Sequence, residues 1–202
     1  MYQSLIIVDD FIDNPDGLRE AAKQLTFPEQ QGAFPGRNSL QRIQMEGLDQ
    51  QVSRLVGEPI EPIDPLQSHA KCRLTLAGDK GLAGVHTDQS HWSGILYLTR
   101  PEHCSGGTDF FQHRRTGTDR APFNDAELHA LGYSSHEEMH DKIIAADSTN
   151  PDKWKRIMRV PMRFNRLILL RPWLWHTAGP GFGDSIDNGR LVYLMFFRSA
   201  QQ

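Results

Sequence analysis

Strand-like segments dominate the chain after residue 68, and they constrain the fold more than any other feature. The segments are short and are separated by turn residues such as Gly106-Gly107. The predicted strands span residues 70–76, 94–98, 108–112, 163–171, 173–177 and 190–198. A chain with this many short strands is expected to form a β-sandwich or a barrel.

The N-terminal part has a different pattern. Residues 5–11 predict a buried strand, and Asn14 with Pro15 predicts the start of a helix over residues 16–24. Residues 46–57 place apolar side chains on one face and predict a second, amphipathic helix. We therefore expect an α+β fold in which N-terminal helices buttress the strands.

The composition indicates one globular domain over residues 1–202. With 38% hydrophobic and 23% charged residues, the chain can bury a sizeable core. The net charge of −3, without a block of like charges, gives no support for a nucleic-acid or membrane partner. The opening MYQSLIIVDDFI has no basic segment and too short an apolar run for a signal peptide or membrane span. Cys72 and Cys104 fit neither a zinc motif nor a disulfide framework, so we expect reduced thiols in a cytoplasmic protein.

A histidine and an aspartate stand two residues apart in GLAGVHTDQSHWSGILYLT, residues 81–99. His86 and Asp88 point to the same side of an extended backbone, because side chains alternate along a strand. A second histidine, His176, ends the apolar segment RFNRLILLRPWLWH. Two imidazoles and one carboxylate occupy one face of an octahedral ion and leave the other face open, as in non-haem Fe(II) oxygenases. His-x-Asp alone is a weak signal, but together with His176 it predicts a metal site.

Arg190 lies fourteen residues after His176, at the start of RLVYLMFFR. A guanidinium group binds a carboxylate through two parallel hydrogen bonds, so Arg190 is a candidate to hold the far end of a dicarboxylate co-substrate. Arg198 lies on the same strand face, but about 26 Å farther along at ~3.3 Å per residue. The alternative is that Arg190 is a surface residue at the start of a strand.

Several segments carry a family resemblance. LIIVDDFIDNPDGLRE is similar to the strand–helix entry of the Fe(II)/2-oxoglutarate-dependent dioxygenase superfamily, and within it of a bacterial subgroup of the prolyl 4-hydroxylase-like branch. HTD resembles its His-x-Asp motif, GGTDFF its Gly-Gly strand, and NRLILLRPWLWHTA its distal-histidine strand. The likeness covers most of residues 1–112 and 160–198.

The resemblance implies a double-stranded β-helix, the jelly-roll or cupin-like fold, with Fe(II) as cofactor and 2-oxoglutarate as co-substrate. It implies that His86, Asp88 and His176 are metal ligands and catalytic residues, and that Arg190 anchors the C5 carboxylate of 2-oxoglutarate. The implied reaction hydroxylates a C–H bond of a small molecule or an amino-acid side chain with O2, releasing succinate and CO2. Asp88 argues against halogenation, because halogenating relatives lack this carboxylate.

Four further residues are candidates for binding. Arg73 and Tyr97 lie on predicted strands and are expected to contact 2-oxoglutarate or, for Arg73, the substrate. Gln89 and Trp92 follow the His-x-Asp pair in a loop position that often carries specificity, so they are candidate substrate residues. The alternatives are a solvent-facing Arg73, a core Tyr97, and a packing role for Gln89 and Trp92.

Residues 114–160 have no counterpart in the resemblance and contain segments typical of short capped helices. A connection of this length predicts a lid over the site. Its string HEEMH, residues 136–140, matches a zinc-protease motif with Glu137 as the base, although that reading needs a third ligand and a fitting fold. His113 fits no strong metal template, so we expect a structural or solvent role for it.

Two other classes of function stay open at this point. One is a non-catalytic double-stranded β-helix protein that binds a metal ion or a small ligand. The other is the metalloprotease that the HEEMH string would require. The sequence also leaves open which small-molecule or amino-acid-like substrate is used and whether the chain forms a homodimer.

Overall fold

The computed structural model describes residues 3–29 and 32–201. The strands in these residues are β1 Leu5–Val8, β2 Arg37–Asn38, β3 Ile60–Pro62, β4 Cys72–Thr75, β5 Trp92–Tyr97, β6 Gly107–His113, β7 Trp154–Pro161, β8 Leu167–Leu170, β9 His176–Thr177 and β10 Arg190–Ser199. The helices are α1 Pro15–Lys23, α2 Leu48–Val56, α3 Asp125–Ala130, α4 His136–Met139 and a π-helix His140–Ala145, with short 3₁₀ turns at Pro101–His103 and Pro151–Lys153.

The larger of two antiparallel sheets has the order β1-β8-β5-β10-β4-β2, and β3 pairs with one end of β10. Side chains of β10 alternate between two faces, because successive residues of a strand point to opposite sides. Leu191, Tyr193 and Met195 enter a core that also contains residues of α1 and α2. Val192 and Leu194 enter a second core, between the two sheets. The N-terminal helices therefore buttress the larger sheet, as the sequence predicts.

The smaller sheet has the order β7-β6-β9. The central strand β6 pairs with β7 along its length, with a bulge between Phe110 and Phe111. On its other edge β6 pairs with β9, where Phe110 lies opposite His176. An isolated bridge then joins His176 to His86. This end of the smaller sheet thus brings together two segments that are far apart in the sequence.

The helices α3 and α4 and the π-helix bury their apolar residues in a third core behind this bridge. Its buried members are Val85, Leu128, Tyr133, Met139, Ile143, Trp154 and Trp175. The sequence did not predict the strand β7, because it placed most of these residues within a helical insertion that ends at residue 160. Lys155 to Arg159 are all exposed, so β7 lacks the alternation that would have predicted a strand.

The chain is thus a mixed fold of antiparallel sheets with few helices, in agreement with the predicted α+β class. Cys72 and Cys104 are free thiols. Within the described ranges, the helices are too short or too polar to cross a membrane.

Candidate metal centre

Backbone hydrogen bonds fix the two segments that carry the predicted metal ligands. The amide of His86 donates to the carbonyl of His176 over 2.9 Å, and the amide of His176 donates back over 3.1 Å. The amide of Asp88 donates to the carbonyl of Pro172, which precedes β9. Both ligand segments are therefore attached to the same end of the smaller sheet.

The side chains of His86, Asp88 and His176 converge, with one potential ligand atom from each within 4.8 Å of the others. Nε2 of His86 lies 3.7 Å from Asp88 Oδ1, and Nε2 of His176 lies 3.4 Å from Asp88 Oδ2. Nδ1 of each histidine lies 2.8 Å from a backbone carbonyl, of Gly84 and Leu174 respectively. These carbonyls accept Nδ1–H and so direct each Nε2 lone pair toward the common point.

The surroundings shift the pKa values of the three donors in different directions. Burial, with the nearby His176, lowers the pKa of His86 to about 4, so its imidazole is neutral near pH 7. Burial opposes ionisation of Asp88, but the adjacent His176 and His86 outweigh burial and lower its pKa. Burial also disfavours a charged His176, yet Asp88 prevails and raises the pKa of that imidazole. Ser93 steadies the carboxylate by donating its hydroxyl to Asp88 Oδ2 over 2.7 Å.

The three donors open into a cavity of about 330 Å³ between the two sheets. One face of β10 forms a wall of this cavity, with Arg190, Val192, Leu194 and Phe196 at alternate positions. The rest of the lining comes from Phe34, Pro35, Gln67, Ser68, Arg73, His86, Thr87, Asp88, Gln89, Ser93, Ile95, His176, Thr177 and Ala178. The volume is at the small end of the range for ligand pockets.

Arg190 lies in this cavity and is only 2% exposed. Within the described residues, its buried Nε and Nη2 have no hydrogen-bond partner, while its guanidinium carbon lies 5.8 Å from the centre of the Tyr97 ring. A buried cation with unpaired donors is unfavourable until an anion pairs with it. Arg198, the sequence alternative, instead forms a 3.0 Å ion pair with Glu61 and has a side chain that is 52% exposed.

Two of the other predicted binding residues line the cavity, and two are buried in the cores. Arg73 and Gln89 line the cavity. Tyr97 is fully buried in the core between the sheets, and its hydroxyl lies 2.7 Å from that of Thr108, so it does not line the cavity. Trp92 is also fully buried, and it donates Nε1–H to Glu58 over 2.6 Å. The substrate role predicted for Trp92 is wrong. The strand β5 begins at Trp92 and directs this side chain into the core that also contains residues of α1 and α2.

Residues 114–160 do not contribute to the lining of the cavity, and their role as a lid stays a prediction. They lie behind the His86 loop and hold it. The hydroxyl of Ser148 accepts from the amide of Gly84 over 2.8 Å, and its carbonyl accepts from Val85 over 3.0 Å. Sequence reasoning missed Ser148, since no local pattern marks a contact between residues so distant in the chain.

The HEEMH string does not form a metal site. His136 and His140 have side chains that are 53% and 62% exposed, and they lie on α4 and the π-helix. Within residues 3–29 and 32–201, His86, Asp88 and His176 are the one group of three or more potential ligands. The third ligand that the metalloprotease reading requires is therefore missing from the described part of the chain.

Solved structures share this fold at low sequence identity. HygX from Streptomyces hygroscopicus, crystallised with nickel, 2-oxoglutarate and hygromycin B, is 12% identical with a TM-score of 0.56, over 98% of this chain and 83% of that chain. SnoK, a non-heme alpha ketoglutarate dependent carbocyclase from nogalamycin biosynthesis, is 13% identical with a TM-score of 0.57, over 98% and 80%. The epimerase SnoN of the same biosynthesis is 14% identical with a TM-score of 0.55, over 98% and 79%.

The fold is thus one that 2-oxoglutarate-dependent enzymes also use. The chain itself belongs to the DUF6445 family, a family of unknown function whose model matches residues 2–197. A comparison with curated proteins gave no match.

Proposed function

We propose that this protein is a non-haem Fe(II)- and 2-oxoglutarate-dependent dioxygenase that hydroxylates a C–H bond of a small molecule or amino-acid side chain. The observation that carries the proposal is the buried guanidinium of Arg190, whose Nε and Nη2 have no hydrogen-bond partner within the described residues, in the same cavity as the converging donors of His86, Asp88 and His176. Such a cavity offers a cation for a carboxylate and a metal site with open positions, which are the two requirements for binding 2-oxoglutarate.

The donor set fits Fe(II). Two imidazole nitrogens and one carboxylate oxygen leave coordination positions for a co-substrate and for O2. When bound, Fe(II) and 2-oxoglutarate supply the oxidising chemistry that converts 2-oxoglutarate and O2 to succinate and CO2 while the substrate gains a hydroxyl group. HygX, which has a similar fold, was crystallised with nickel and 2-oxoglutarate, which supports the assignment of these cofactors.

The residues of the chain have separate tasks in this proposal. His86, Asp88 and His176 hold the metal ion, and Ser93 keeps the Asp88 carboxylate in place. Arg190 pairs with the C5 carboxylate of 2-oxoglutarate and so orients the co-substrate. The apolar walls of β10 exclude water from the reacting groups.

The finer classification follows from the sequence motifs. We assign residues 1–202 to a single dioxygenase domain with a double-stranded β-helix core, in the prolyl 4-hydroxylase-like branch. The two antiparallel sheets with the metal donors between them support this assignment. Asp88 also disfavours halogenation, because its carboxylate occupies the position that a halide would need.

Anaerobic spectroscopy tests the proposal. Fe(II) and 2-oxoglutarate together should produce a weak visible charge-transfer band in the wild-type protein, and the His176→Ala variant should lack it. Arg190→Gln should raise the KM for 2-oxoglutarate by at least about 100-fold, since a buried charge loses its partner. Arg198→Gln is the matched control and should leave this KM unchanged.

Two outcomes would contradict the proposal. A protein that shows no band, or whose band survives His176→Ala, does not bind the cofactors as described. A protein that shows the band but never forms succinate in air, with any tested substrate, is the non-catalytic binding protein that the sequence also allowed.

A further inference from the structure

The cavity contains more positive than negative charge. Two guanidinium groups, those of Arg73 and Arg190, line it. Of the described residues that line it, Asp88 is the one carboxylate, and it faces the two histidines. The proposed co-substrate requires one arginine, so the second needs a separate explanation.

Arg73 and Arg190 lie at different positions around the metal donors. In the antiparallel pairing of β4 with β10, Arg73 lies opposite Val192 and Arg190 lies opposite Thr75. The two arginines are therefore separated by about 7 Å along the strands, at ~3.3 Å per residue. The guanidinium of Arg190 lies near the Tyr97 ring, deep between the sheets.

The Arg73 guanidinium lies against the Phe34 ring, which in turn contacts the His86 ring. Its carbon is 5.6 Å from the centre of the Phe34 ring, and that ring is 4.2 Å from the His86 ring, centre to centre. Phe34 thus forms an apolar wall that both the guanidinium and a metal ligand contact. A group bound at Arg73 would be held against Phe34, near the metal donors.

Hydrogen bonds to the protein hold the Arg73 side chain in position. Its Nε donates to Asn38 Oδ1 over 2.7 Å, and Asn38 donates its amide to the Ser68 hydroxyl over 2.9 Å. Within residues 3–29 and 32–201, the terminal nitrogens of Arg73 have no protein acceptor, and the residue lines the cavity. The tether fixes the orientation of the guanidinium, so it presents two donors to a ligand without a large loss of side-chain entropy.

The charges then define what this ligand should be. Metal-bound histidines are neutral. The divalent metal ion, the two guanidinium groups and the Asp88 carboxylate together leave three positive charges, and the 2-oxoglutarate dianion neutralises two of them. One buried positive charge is left, next to the apolar side chains of Phe34, Leu194 and Phe196.

We propose that the primary substrate is a small monocarboxylic acid with an apolar body, and that Arg73 binds its carboxylate while the body packs against Phe34 and Phe196. This inference rests on the proposed function, since Arg190 and the metal ion must hold 2-oxoglutarate for Arg73 to remain for the substrate. The cavity volume of about 330 Å³, which both molecules must share, restricts the substrate to a small compound.

Calorimetric titration of the Ni(II)-loaded protein with saturating 2-oxoglutarate tests the proposal without turnover. The probes are phenylacetate, 3-phenylpropanoate and hexanoate, each compared with its neutral amide. We expect at least one acid to bind about tenfold more tightly than its amide, because hydrogen bonds to a charged group add this much. Arg73→Gln should reduce this preference to less than about twofold.

Two further variants complete the design. Arg37→Gln is the matched control, because Arg37 lies on the adjacent strand β2 but pairs with Asp79 at 3.5 Å and does not line the cavity; the preference should persist in it. Arg73→Lys keeps the charge but loses the planar fork, so the preference should fall between those of the wild type and Arg73→Gln. The far-UV circular dichroism spectrum shows that each variant is folded.

Three results would overturn the inference. Equal binding of every acid and its amide by the wild-type protein would exclude an acid site, and so would a preference that survives Arg73→Gln. Loss of 2-oxoglutarate affinity in Arg73→Gln as large as in Arg190→Gln would assign Arg73 to the co-substrate instead. Failure of the proposed function is distinguishable, because 2-oxoglutarate would then fail to bind to the wild-type protein before any acid is added.

Discussion

Two histidine–aspartate groups lie on opposite sides of the loop that carries His86. They differ in whether both ring nitrogens of each histidine are hydrogen-bonded to the protein. Behind the loop, His113 is fully buried, with Nδ1 3.0 Å from the Thr116 hydroxyl and Nε2 3.0 Å from Asp147 Oδ2. In front of it, His86 and His176 bond to the protein through Nδ1, while each Nε2 faces Asp88 at 3.7 and 3.4 Å.

The comparison shows that burial of imidazole and carboxylate together does not by itself indicate a metal site. At His113 both ring nitrogens are within hydrogen-bond distance of protein oxygens, so the group has no free lone pair and stabilises the fold. At the proposed metal centre the Nε2 atoms converge at distances too long for good hydrogen bonds. The signature of the functional group is this set of convergent donors with incomplete hydrogen bonding.

The largest effect should follow from removing one converging donor. His176→Ala should lower the affinity for Fe(II) by at least about 100-fold, because loss of a ligand exceeds the effect of losing an outer-shell partner. Anaerobic equilibrium titration with Fe(II) measures this affinity. If His176→Ala binds Fe(II) like the wild type, the distinction between the two groups is wrong.

The opposite pattern is expected behind the loop. His113→Ala should lower the free energy of unfolding by about 3 kcal/mol, because it leaves a cavity and removes a buried hydrogen bond to Asp147. Denaturant unfolding of the metal-free protein measures the change. The folded fraction should still bind Fe(II) with nearly wild-type affinity, so a variant that remains stable but loses Fe(II) would contradict the structural role.

A smaller effect connects the two groups. Ser148→Ala removes the hydroxyl that accepts from the Gly84 amide, while the Ser148 carbonyl still accepts from Val85. The His86 loop should then be less well positioned, and Fe(II) affinity should fall by about tenfold. Ser134→Ala is a suitable control, because Ser134 donates its amide and its hydroxyl to Glu138 in the same local turn. Equal losses of Fe(II) affinity in the two variants would argue against this positioning role.

The smallest effect concerns pH. Burial lowers the pKa of His113 below its ordinary value of 6.5, although its hydrogen bond to Asp147 acts in the opposite direction. The folded state therefore favours the neutral imidazole, and the stabilisation is complete above the unfolded pKa of 6.5. It is lost as the pH falls from there through the folded pKa.

Urea unfolding of the wild type and of His113→Gln at pH 7.5 and pH 5 measures this dependence. The difference in unfolding free energy between the two proteins should shrink at the lower pH, since only the wild type loses the contribution of His113. A difference that grows toward pH 5 would show that His113 is preferentially protonated in the folded state.

Much of the fold and part of the candidate site could be predicted from the sequence. The helices α1 and α2 and the long strand β10 carry strong local patterns, and the structure contains them close to the predicted bounds. His86, Asp88, His176 and Arg190 are brought to one cavity, as their positions in the strand pattern indicated. Their roles as ligands and anchor remain predictions until a metal ion is observed.

The errors arose where the tertiary arrangement decides the outcome. Trp92 looked like a substrate residue because it follows the ligands, but the strand begins at that residue and its alternation puts Trp92 with Leu96 in the core and Ser93 beside Asp88. The lid role of segment 114–160 was predicted from its length alone and stays a prediction. Its buried face matches the back of the His86 loop, and no local pattern encodes that choice.

The most direct measurement is anomalous diffraction at the iron edge from crystals prepared anaerobically with Fe(II) and 2-oxoglutarate. The account predicts one strong peak, at roughly 2.1 Å from Nε2 of His86, Nε2 of His176 and a carboxylate oxygen of Asp88. A peak beside His136 and His140, or a peak in contact with only one of the three predicted ligands, would contradict it.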